Sequence, residues 1–312
     1  MRVLVTGGAG FIGSHIVDAM LAAGHEVAVV DNLATGKRVN LNPAARFFEA
    51  DITGPGLQSV FEVFRPEAVD HHAAQASVKV SIGEPARDLA VNAGGTIALL
   101  SLCRRYEVRR FVYAASGGTA YGEPQNLPIT EDHPVRLLSN YGVSKYTGEL
   151  YVDLARRTWG IETVVLRYAN VYGPRQDPHG EAGVVAIFTG LMLAGQPCTI
   201  DGDGEQAKDY VYVTDVAAAN LAALSAASGA LVNIGTGTGT SVNDIHRELA
   251  LAIPTSVPSR NGPPRPGDVR KTWLDNRLAR DVLGWSPAVD FARGVADTVA
   301  WYRERAAASS SS

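Results

Sequence analysis

A tyrosine and a lysine four residues apart are the side chains of this sequence best suited to proton transfer. Tyr141 and Lys145 open a stretch with helical spacing, and side chains four positions apart share one face of a helix. A phenol has a free pKa of about 10, so it is a poor base at neutral pH unless a neighbouring positive charge favours the phenolate. Lowering that pKa by two or three units requires roughly 3–4 kcal/mol. In isolation such a pair is more often a solvated helix face, so its context decides.

A segment with two hydroxyl side chains precedes this helix. Residues 114–122 read AASGGTAYG and follow an apolar, strand-like run. A hydroxyl at the carboxyl end of a strand can donate to a reacting oxygen and share its proton with the phenol. Ser116 is our candidate for this role, and Thr119 is the alternative.

A glycine-rich turn near the N-terminus predicts a dinucleotide site. Residues 6–13 read TGGAGFIG, between a strand-like run and a helical one. Gly7 permits a tight turn, Gly10 lets the backbone approach a pyrophosphate, and Gly13 lets the helix lie close to the strand. The first amides of that helix then face the phosphates. Asp31 closes the next strand-like run, where a carboxylate accepts from both ribose hydroxyls and repels a 2′-phosphate, so we predict NAD rather than NADP.

Two further strand ends carry residues that suit the same cofactor. Asp51 and Ile52 follow the third strand-like run, where a carboxylate can meet the adenine amino group. Ala73, Ala74 and Gln75 follow the fourth run, and small residues there let a cofactor pass close to the backbone.

The first half of the chain alternates short β-branched runs with helical patterns. Strands are predicted at 2–6, 26–30, 46–49, 68–72, 110–115 and 162–167, and helices at 12–23, 86–106 and 141–159. Several strands are apolar with little alternation, as expected for a sheet covered on both faces. This rhythm predicts an α/β fold with a doubly wound parallel sheet of the Rossmann type.

The second half has a different texture and predicts a smaller substrate-binding domain. Helical patterns recur at 215–227, 242–252 and 291–305, separated by glycine- and proline-rich segments. We predict a cofactor domain at 1–172, joined later by residues about 210–235, and a C-terminal substrate domain at 173–305. The low-complexity stretch 306–312 is predicted to be disordered.

The order of these motifs resembles the extended short-chain dehydrogenase/reductase family, and within it the NAD-dependent nucleotide-sugar epimerases of the UDP-glucose 4-epimerase type. The resemblance runs from Met1 to about Arg305. It rests on TGGAGFIG at 6–13, DN at 31–32, YGVSK at 141–145, LRYANVYGPR at 166–175, DGDGEQAKDYVYVTD at 201–215, LVNIGTG at 231–237 and RPGD at 265–268.

The resemblance implies roles for individual residues. Tyr141 is the base, Lys145 binds the nicotinamide ribose and lowers the pKa of Tyr141, and Ser116 assists. Asn170 and Arg265 contact the substrate diphosphate, and Asp268 lies near the nucleotide ribose. The further cofactor residues that the resemblance implies are Phe11, Ile12, Asn32, Thr35, Gly36, Asn92 and Tyr168. The further substrate residues that it implies are Val184, Ile200, Lys208 and Tyr210.

Two positions depart from or refine the family pattern. Where the family usually has arginine before Asp-Tyr, this chain has Lys208, so a bidentate phosphate contact becomes a point charge. Thr272 falls where members that exclude 2-acetamido sugars carry a large side chain, so UDP-GlcNAc and UDP-GalNAc are candidate substrates beside UDP-glucose and UDP-galactose.

The same 4-oxidation also begins other reactions, which stay open at this point. Epimerisation or decarboxylation of UDP-glucuronate is the main alternative. A 4,6-dehydratase is less favoured, because the positions that carry a Thr-Asp-Glu run in such enzymes are Gly117, Gly118 and Thr119 here. A non-catalytic NAD-sensing module would not need Tyr141 and Lys145 intact.

Composition restricts the possible partners. A net charge of -4 gives no basic surface for binding nucleic acid, and no apolar run approaches the length of a membrane helix.

The two cysteines, Cys103 and Cys198, are expected to be buried thiols of a cytoplasmic protein. His71, His72 and His179 lack metal-ligand spacing, so we expect no metal and assign them packing or loop roles. The resemblance implies a homodimer formed through the helices at 86–106 and 141–159.

Overall fold

The computed structural model describes residues 1–179, 183–254, 257–264 and 269–310. The strands of its main sheet are β1 (Arg2–Thr6), β2 (Glu26–Asp31), β3 (Arg46–Glu49), β4 (Ala68–His71), β5 (Arg110–Ser116), β6 (Glu162–Tyr168) and β11 (Ala230–Ile234). They pair in parallel in the order β11-β6-β5-β4-β1-β2-β3. This seven-stranded sheet confirms the predicted doubly wound α/β fold.

Helices cover both faces of this sheet. They are α1 (Phe11–Ala22), α2 (Leu57–Phe64), α3 (Val78–Gly83), α4 (Pro85–Leu89), α5 (Gly95–Arg105), α6 (Gly117–Ala120), α7 (Asn140–Trp159) and α9 (Val213–Ala223). A π-helical turn, Ala90–Gly94, joins α4 to α5, and a 3₁₀ turn lies at Arg38–Asn40.

The hydrophobic core lies on the two faces of the sheet because successive side chains of a strand point to opposite sides. In β1, Val3 and Val5 pack with Ile16 of α1 on one face, and Leu4 packs with Leu99 of α5 on the other. All five of these side chains are fully buried. This two-sided burial explains why the strands read as nearly continuous apolar runs.

Most of the remaining elements form a smaller part around a third hydrophobic cluster. They are β7 (Asn170–Tyr172), α8 (Val184–Leu193), β8 (Thr199–Asp201), β9 (Ala207–Lys208), β10 (Tyr210–Tyr212), β12 (Thr240–Ser241), α10 (Val242–Ala252), β13 (Arg260–Gly262), β14 (Lys271–Thr272) and α12 (Phe291–Ser310). The helix α11 (Arg277–Leu283) packs instead on the core of the main sheet. β11 joins the main sheet and α9 packs on α1. We propose on this basis that residues about 210–235 belong with residues 1–172, and the rest of 173–305 with the smaller part.

The structure also contains helices that periodicity did not predict. α8 reads VVAIFTGLML, which is apolar all round and therefore shows no amphipathic stripe. For residues 306–310 of the tail predicted to be disordered, the structure shows helix instead: α12 continues to Ser310, since alanine is the best helix former. Residues 311 and 312 of that tail lie outside the described residues. Across the described ranges, no helix has both the length and the apolar character needed to span a bilayer.

Candidate active site

The turn between β1 and α1 is built by glycine where a side chain would not fit. Gly7 has φ +71°, and a Cβ there would lie 2.7 Å from the amide nitrogen of Ala73. A Cβ on Gly13 would lie 2.3 Å from the carbonyl oxygen of Gly7, so α1 packs directly against the turn. Gly10 is the N-cap of α1 and supplies no side-chain cap, which leaves the first helical amides for an external acceptor. This geometry fits the pyrophosphate of a dinucleotide.

Asp31 lies at the end of β2, beside this turn. Its carboxylate accepts from the backbone N–H of Ala9 at 3.0 Å and of Leu33 at 2.8 Å, which fixes its orientation. A Cβ on Gly36 would lie 2.7 Å from the carboxylate, so glycine keeps that space free of side chain. Burial raises the pKa of Asp31 from its ordinary value. The space beside a fixed carboxylate suits the ribose hydroxyls of NAD.

The other predicted adenosine residues lie on neighbouring loops at the same sheet edge. Asp51 accepts from the side chain of Asn32 at 2.8 Å and from the backbone and hydroxyl of Thr53, and these bonds lower its pKa. Ile52 turns its side chain inward, where a Cβ on Gly95 would lie 2.4 Å from it. The other residues predicted for the cofactor at this edge start α1 or follow β2 and β4, namely Phe11, Ile12, Thr35 and Ala74.

The catalytic candidates lie at the start of α7. Ser139 caps this helix by accepting from the backbone N–H of Gly142 at 3.0 Å. Tyr141 is partly exposed, whereas Lys145 is buried with its Nζ 4.5 Å from the ring centroid of Tyr113. The hydroxyl of Tyr113 donates to the carbonyl of Lys145 at 3.0 Å. A Cβ on Gly148 would lie 2.2 Å from that hydroxyl, so glycine is needed for Tyr113 to reach the helix.

The pKa values of Tyr141 and Lys145 describe the pair in the chain without its cofactor. Burial, followed by the charge of Asp88, raises the pKa of Tyr141 to about 12. Burial lowers the pKa of Lys145 from 10.5 to about 8, and Glu149 and Asp88 partly oppose this. For both groups, desolvation by burial is the largest cause of the pKa shift. The phenolate therefore needs a further positive charge, which the oxidised nicotinamide ring provides when NAD is bound.

The shifted pKa of Lys145 predicts how stability depends on pH. Between about pH 8 and 10.5 the unfolded chain binds more protons at this residue than the folded chain does. The Lys145 contribution to the free energy of unfolding therefore rises with pH across that window. We expect the wild type to gain stability relative to Lys145→Met between about pH 7.5 and 9.5 in urea unfolding of the cofactor-free protein. Parallel pH curves for the two proteins would contradict this assignment.

Comparison with known proteins identifies the family. A model of the NAD dependent epimerase/dehydratase family matches residues 3–235, which is well over half of the chain. The chain belongs to the NAD dependent epimerase/dehydratase family. It is 45% identical over 311 residues to a UDP-glucose 4-epimerase of Mycolicibacterium smegmatis, covering 98% of this chain and 99% of the relative.

Two solved structures of similar proteins superpose closely on this family member. One is a UDP-glucose 4-epimerase from Thermotoga maritima with UDP-glucose, which has a TM-score of 0.96 at 47% identity and covers 98% of this chain and 100% of its own. The other is a UDP-glucose 4-epimerase from Thermus thermophilus in complex with NAD, with a TM-score of 0.92 at 47% identity, covering 97% and 99%.

In this member of the epimerase/dehydratase family, the two candidate hydroxyl residues lie at the end of β5 and in the helix that follows it. Ser116 ends β5 and Thr119 lies in the short helix α6 that follows. A Cβ on Gly142 would lie 3.1 Å from the carbonyl oxygen of Thr119, which places α6 directly against the residue after Tyr141. The structure thus places Thr119 beside α7 and Ser116 directly before α6, and Ser116 remains our prediction.

Three residues predicted for the cofactor use their side chains in hydrogen bonds within the protein. Asn92 is buried in the π-helical turn, accepts from the backbone N–H of Gln75 at 2.8 Å and donates to Ser144 at 2.9 Å. Tyr168 is buried at the end of β6, and its hydroxyl donates to Asn220 at 2.9 Å. Gln75 itself donates from its side chain to Asp88 at 2.7 Å. The hydrogen bonds of these side chains join elements of the protein to one another.

The predicted substrate residues are distributed over the smaller part. Asn170 begins β7 and donates from its side chain to the carbonyl of Asp209 at 3.0 Å. Lys208 lies in β9 and is partly buried. The apolar substrate candidates pack in or against the core cluster of this part, namely Val184, Ile200 and Tyr210. Arg265 and Asp268 lie outside the described residues.

Sequence reasoning missed the buried polar residues that support the catalytic pair. Asp88 is fully buried, and its Oδ2 has no hydrogen-bond partner among the described residues. Glu149 pairs with the buried Arg167 at 2.7 Å, one helical turn after Lys145. Tyr113 was read only as part of a strand. Spacing carries no signal for these contacts, because each one joins different elements of the fold.

Proposed function

We propose that this enzyme is an NAD-dependent 4-epimerase of UDP-sugars, with UDP-glucose and UDP-galactose as its first substrate pair. The observation that carries the proposal is a partly exposed Tyr141 beside a buried Lys145, at the same sheet edge as the glycine turn and Asp31. The Thermotoga maritima relative with UDP-glucose and the Thermus thermophilus relative with NAD support the substrate class and the cofactor.

The residues of the chain act on the proton of the sugar 4-hydroxyl. NAD, when bound, supplies the acceptor and donor for the hydride of C4. Tyr141 accepts the hydroxyl proton, Lys145 favours the phenolate with its positive charge, and Ser116 donates to the reacting oxygen. The 4-keto sugar then presents its other face, Tyr141 returns the proton, and the configuration at C4 is inverted. This sequence requires the nucleotide to be held firmly and the sugar loosely.

The smaller part of the chain supplies the grip on the nucleotide. Asn170, Lys208 and Arg265 are proposed to hold the diphosphate, and Asp268 the nucleotide ribose. A guanidinium can bind two phosphate oxygens at once, whereas the ammonium of Lys208 acts as a point charge. Thr272, in β14, leaves room for a 2-acetamido group, so UDP-GlcNAc and UDP-GalNAc form the second substrate pair that we propose.

Incubation with defined nucleotide sugars tests the activity. The purified protein with NAD would be given UDP-glucose, UDP-GlcNAc and UDP-glucuronate separately, and the products resolved by NMR and mass. Conversion of UDP-glucose to UDP-galactose at constant mass supports the proposal. If only UDP-glucuronate is epimerised, or if it loses CO₂, the enzyme acts on UDP-glucuronate and the proposed UDP-glucose substrate is wrong. Binding of NAD without conversion of any sugar would indicate a non-catalytic module.

We also propose that two copies pair through α4, α5 and α7. Val143, Leu150 and Leu154 form an apolar face on α7, although each is more than one-third exposed in the single chain. Tyr151 and Leu89 extend this face. Exposed apolar side chains concentrated on neighbouring helices are typical of a surface that a partner covers. We propose a second copy as the occupant, because the resemblance to the epimerase family implies a homodimer formed through these helices.

Charge placed in this face predicts dissociation. Leu150→Glu combined with Leu154→Glu would bury uncompensated carboxylates between the copies, at a cost of about 3 kcal/mol or more. We expect the variant to sediment as a monomer at concentrations where the wild type sediments as a dimer. Leu251→Glu is the control, because Leu251 is 73% exposed on α10, away from this face. If the wild type, the double variant and Leu251→Glu sediment identically, the proposed interface is wrong.

We propose the cytoplasm as the site of action. Cys103 and Cys198 are both buried free thiols, and burial raises the pKa of each. Thiols kept in this state are typical of a reducing compartment.

A further inference from the structure

A run of buried hydrogen bonds connects the glycine turn to the helix that follows the π turn. Thr6, the last residue of β1, has its Oγ1 2.7 Å from Nδ1 of His71. The Nε2 of His71 lies 3.0 Å from Oγ1 of Thr96, on α5. Thr96 in turn donates to the carbonyl of Asn92 at 2.6 Å. All four residues are at most 1% exposed, so water does not compete for these bonds.

The surrounding groups fix the direction of each bond. Oγ1 of Thr6 accepts from the backbone N–H of His72 at 3.2 Å and of Ala73 at 3.1 Å, which uses both lone pairs. Its proton must therefore go to Nδ1 of His71. At the other end, the carbonyl of Asn92 can only accept, so Thr96 donates there and must accept from Nε2–H of His71. His71 is thus a neutral imidazole with its proton on Nε2.

Electrostatics independently favour this neutral form. Burial, followed by the charges of Lys145 and His72, lowers the pKa of His71 well below its ordinary value. An imidazolium would direct a second N–H at the hydroxyl of Thr6, where both lone pairs are already used. The other rings packed on His71 are Phe111 and Tyr113, at centroid distances of 5.8 and 5.7 Å.

The run reaches both catalytic candidates on α7. From Asn92, the side chain donates to Oγ of Ser144 at 2.9 Å, and Ser144 donates to the carbonyl of Tyr141 at 3.1 Å. From His71, the ring contacts Tyr113, whose face lies against Nζ of Lys145 and whose hydroxyl donates to the Lys145 carbonyl.

We propose that His71 is a positioning residue that fixes the catalytic helix α7 relative to the glycine turn, through Thr6 on one side and Thr96 on the other. This inference rests on the proposed function, since proton and hydride must leave the same alcohol. One side of that alcohol faces Tyr141, and the other faces the cofactor held at the turn. A displacement of about 1 Å between reacting groups costs on the order of 10²-fold in rate. An apolar residue would fill the same space but would leave the hydroxyls of Thr6 and Thr96 without their partner.

Two variants at Thr96 test the proposal without altering a residue that touches substrate or cofactor. Thr96→Val keeps the shape and removes the hydroxyl, whereas Thr96→Ser keeps the hydroxyl. With NAD-loaded protein, we expect Thr96→Val to lower kcat about 30-fold with KM changed less than about threefold, and Thr96→Ser to stay within about threefold of wild type. Full kcat in Thr96→Val, or an equal loss in Thr96→Ser, would overturn the proposal.

A spectroscopic measurement separates this inference from the proposed activity. In ¹⁵N NMR spectra of the full chain, the ring signals assigned by their absence in His71→Asn should show a protonated Nε2 and a bare Nδ1 through the pH range in which an ordinary histidine titrates. The same signals in Thr96→Val should show a changed tautomer population. A His71 that titrates at its ordinary pKa, or that carries its proton on Nδ1, would overturn the proposal even if the enzyme is active. Absence of sugar conversion with the expected ring signals would overturn only the activity.

Discussion

Tyr141→Phe is expected to lower kcat for UDP-sugar epimerisation by about 10³-fold, because the ring stays in place while the group that carries the proton is removed. General acid–base catalysis typically contributes 10²–10⁴-fold to the rate of a reaction. In the proposed mechanism, Tyr141, the second residue of α7, is the group that accepts the proton. Tyr141 is partly exposed at the start of the helix, so the free energy of unfolding should change by less than about 1 kcal/mol. Steady-state kinetics with saturating UDP-glucose and a urea titration measure the two effects.

Tyr151→Phe is the matched control on the same helix. It removes the same hydroxyl from a residue that is 39% exposed on the apolar face, so the proposed chemistry does not involve it. Turnover of Tyr141→Phe within about tenfold of wild type would show that another group moves the proton. Equal losses in both variants would assign the effect to the helix rather than to the base.

Gly13→Ala is expected to abolish cofactor retention. The added Cβ would lie 2.3 Å from the carbonyl oxygen of Gly7, 2.9 Å from its carbonyl carbon and 3.0 Å from Cα of Gly8. All three atoms are backbone, so α1 and the turn must separate rather than one side chain rotate. Such overpacking costs typically about 1–3 kcal/mol of stability. We expect the affinity for NAD to fall by at least about 100-fold, since the pyrophosphate site is made of these backbone groups.

Gly83→Ala provides the control for the same chemical change. A Cβ at Gly83 meets no atom within 4 Å, so this substitution should leave NAD binding unchanged. Calorimetric titration of both variants with NAD measures the difference. If Gly13→Ala binds NAD within about fivefold of wild type, the close packing of α1 on the turn is not what forms the site.

The two predictions test different parts of one arrangement. Gly13→Ala tests NAD binding, which we expect to depend on the close packing of α1 against the turn. Tyr141→Phe tests proton transfer, which depends on the charge near the phenol as well as on its position. Burial and the charge of Asp88 raise the pKa of Tyr141 to about 12 in the chain by itself. If Tyr141 is the base, we expect the positive oxidised nicotinamide ring to favour its phenolate, so that the base forms when the cofactor binds.

Much of the fold could be predicted from sequence because its signals are local. The six predicted strands of the main sheet occur within one residue of their predicted bounds at either end. A continuous apolar run reports burial on both faces, and a glycine cluster between a strand and a helix reports a tight turn. By contrast, α8 was missed because a uniformly apolar helix has no periodic stripe. The helix predicted at 291–305 continues to Ser310, which was missed because low-complexity composition indicates disorder, whereas an existing helix extends readily through alanine.

The sequence by itself determined the glycine turn, the carboxylate at Asp31 and the placement of Tyr141 and Lys145 on one helical face. Each of these depends on residues that are neighbours along the chain, so spacing specifies it. Only the tertiary structure decided the burial that shifts the pKa values of Tyr141 and Lys145, and the hydrogen bonds that set the tautomer of His71. Thr6 and His71 are 65 residues apart, and Asn92 and Ser144 are 52 residues apart. Desolvation and hydrogen-bond direction depend on such contacts, which exist only once the chain has folded.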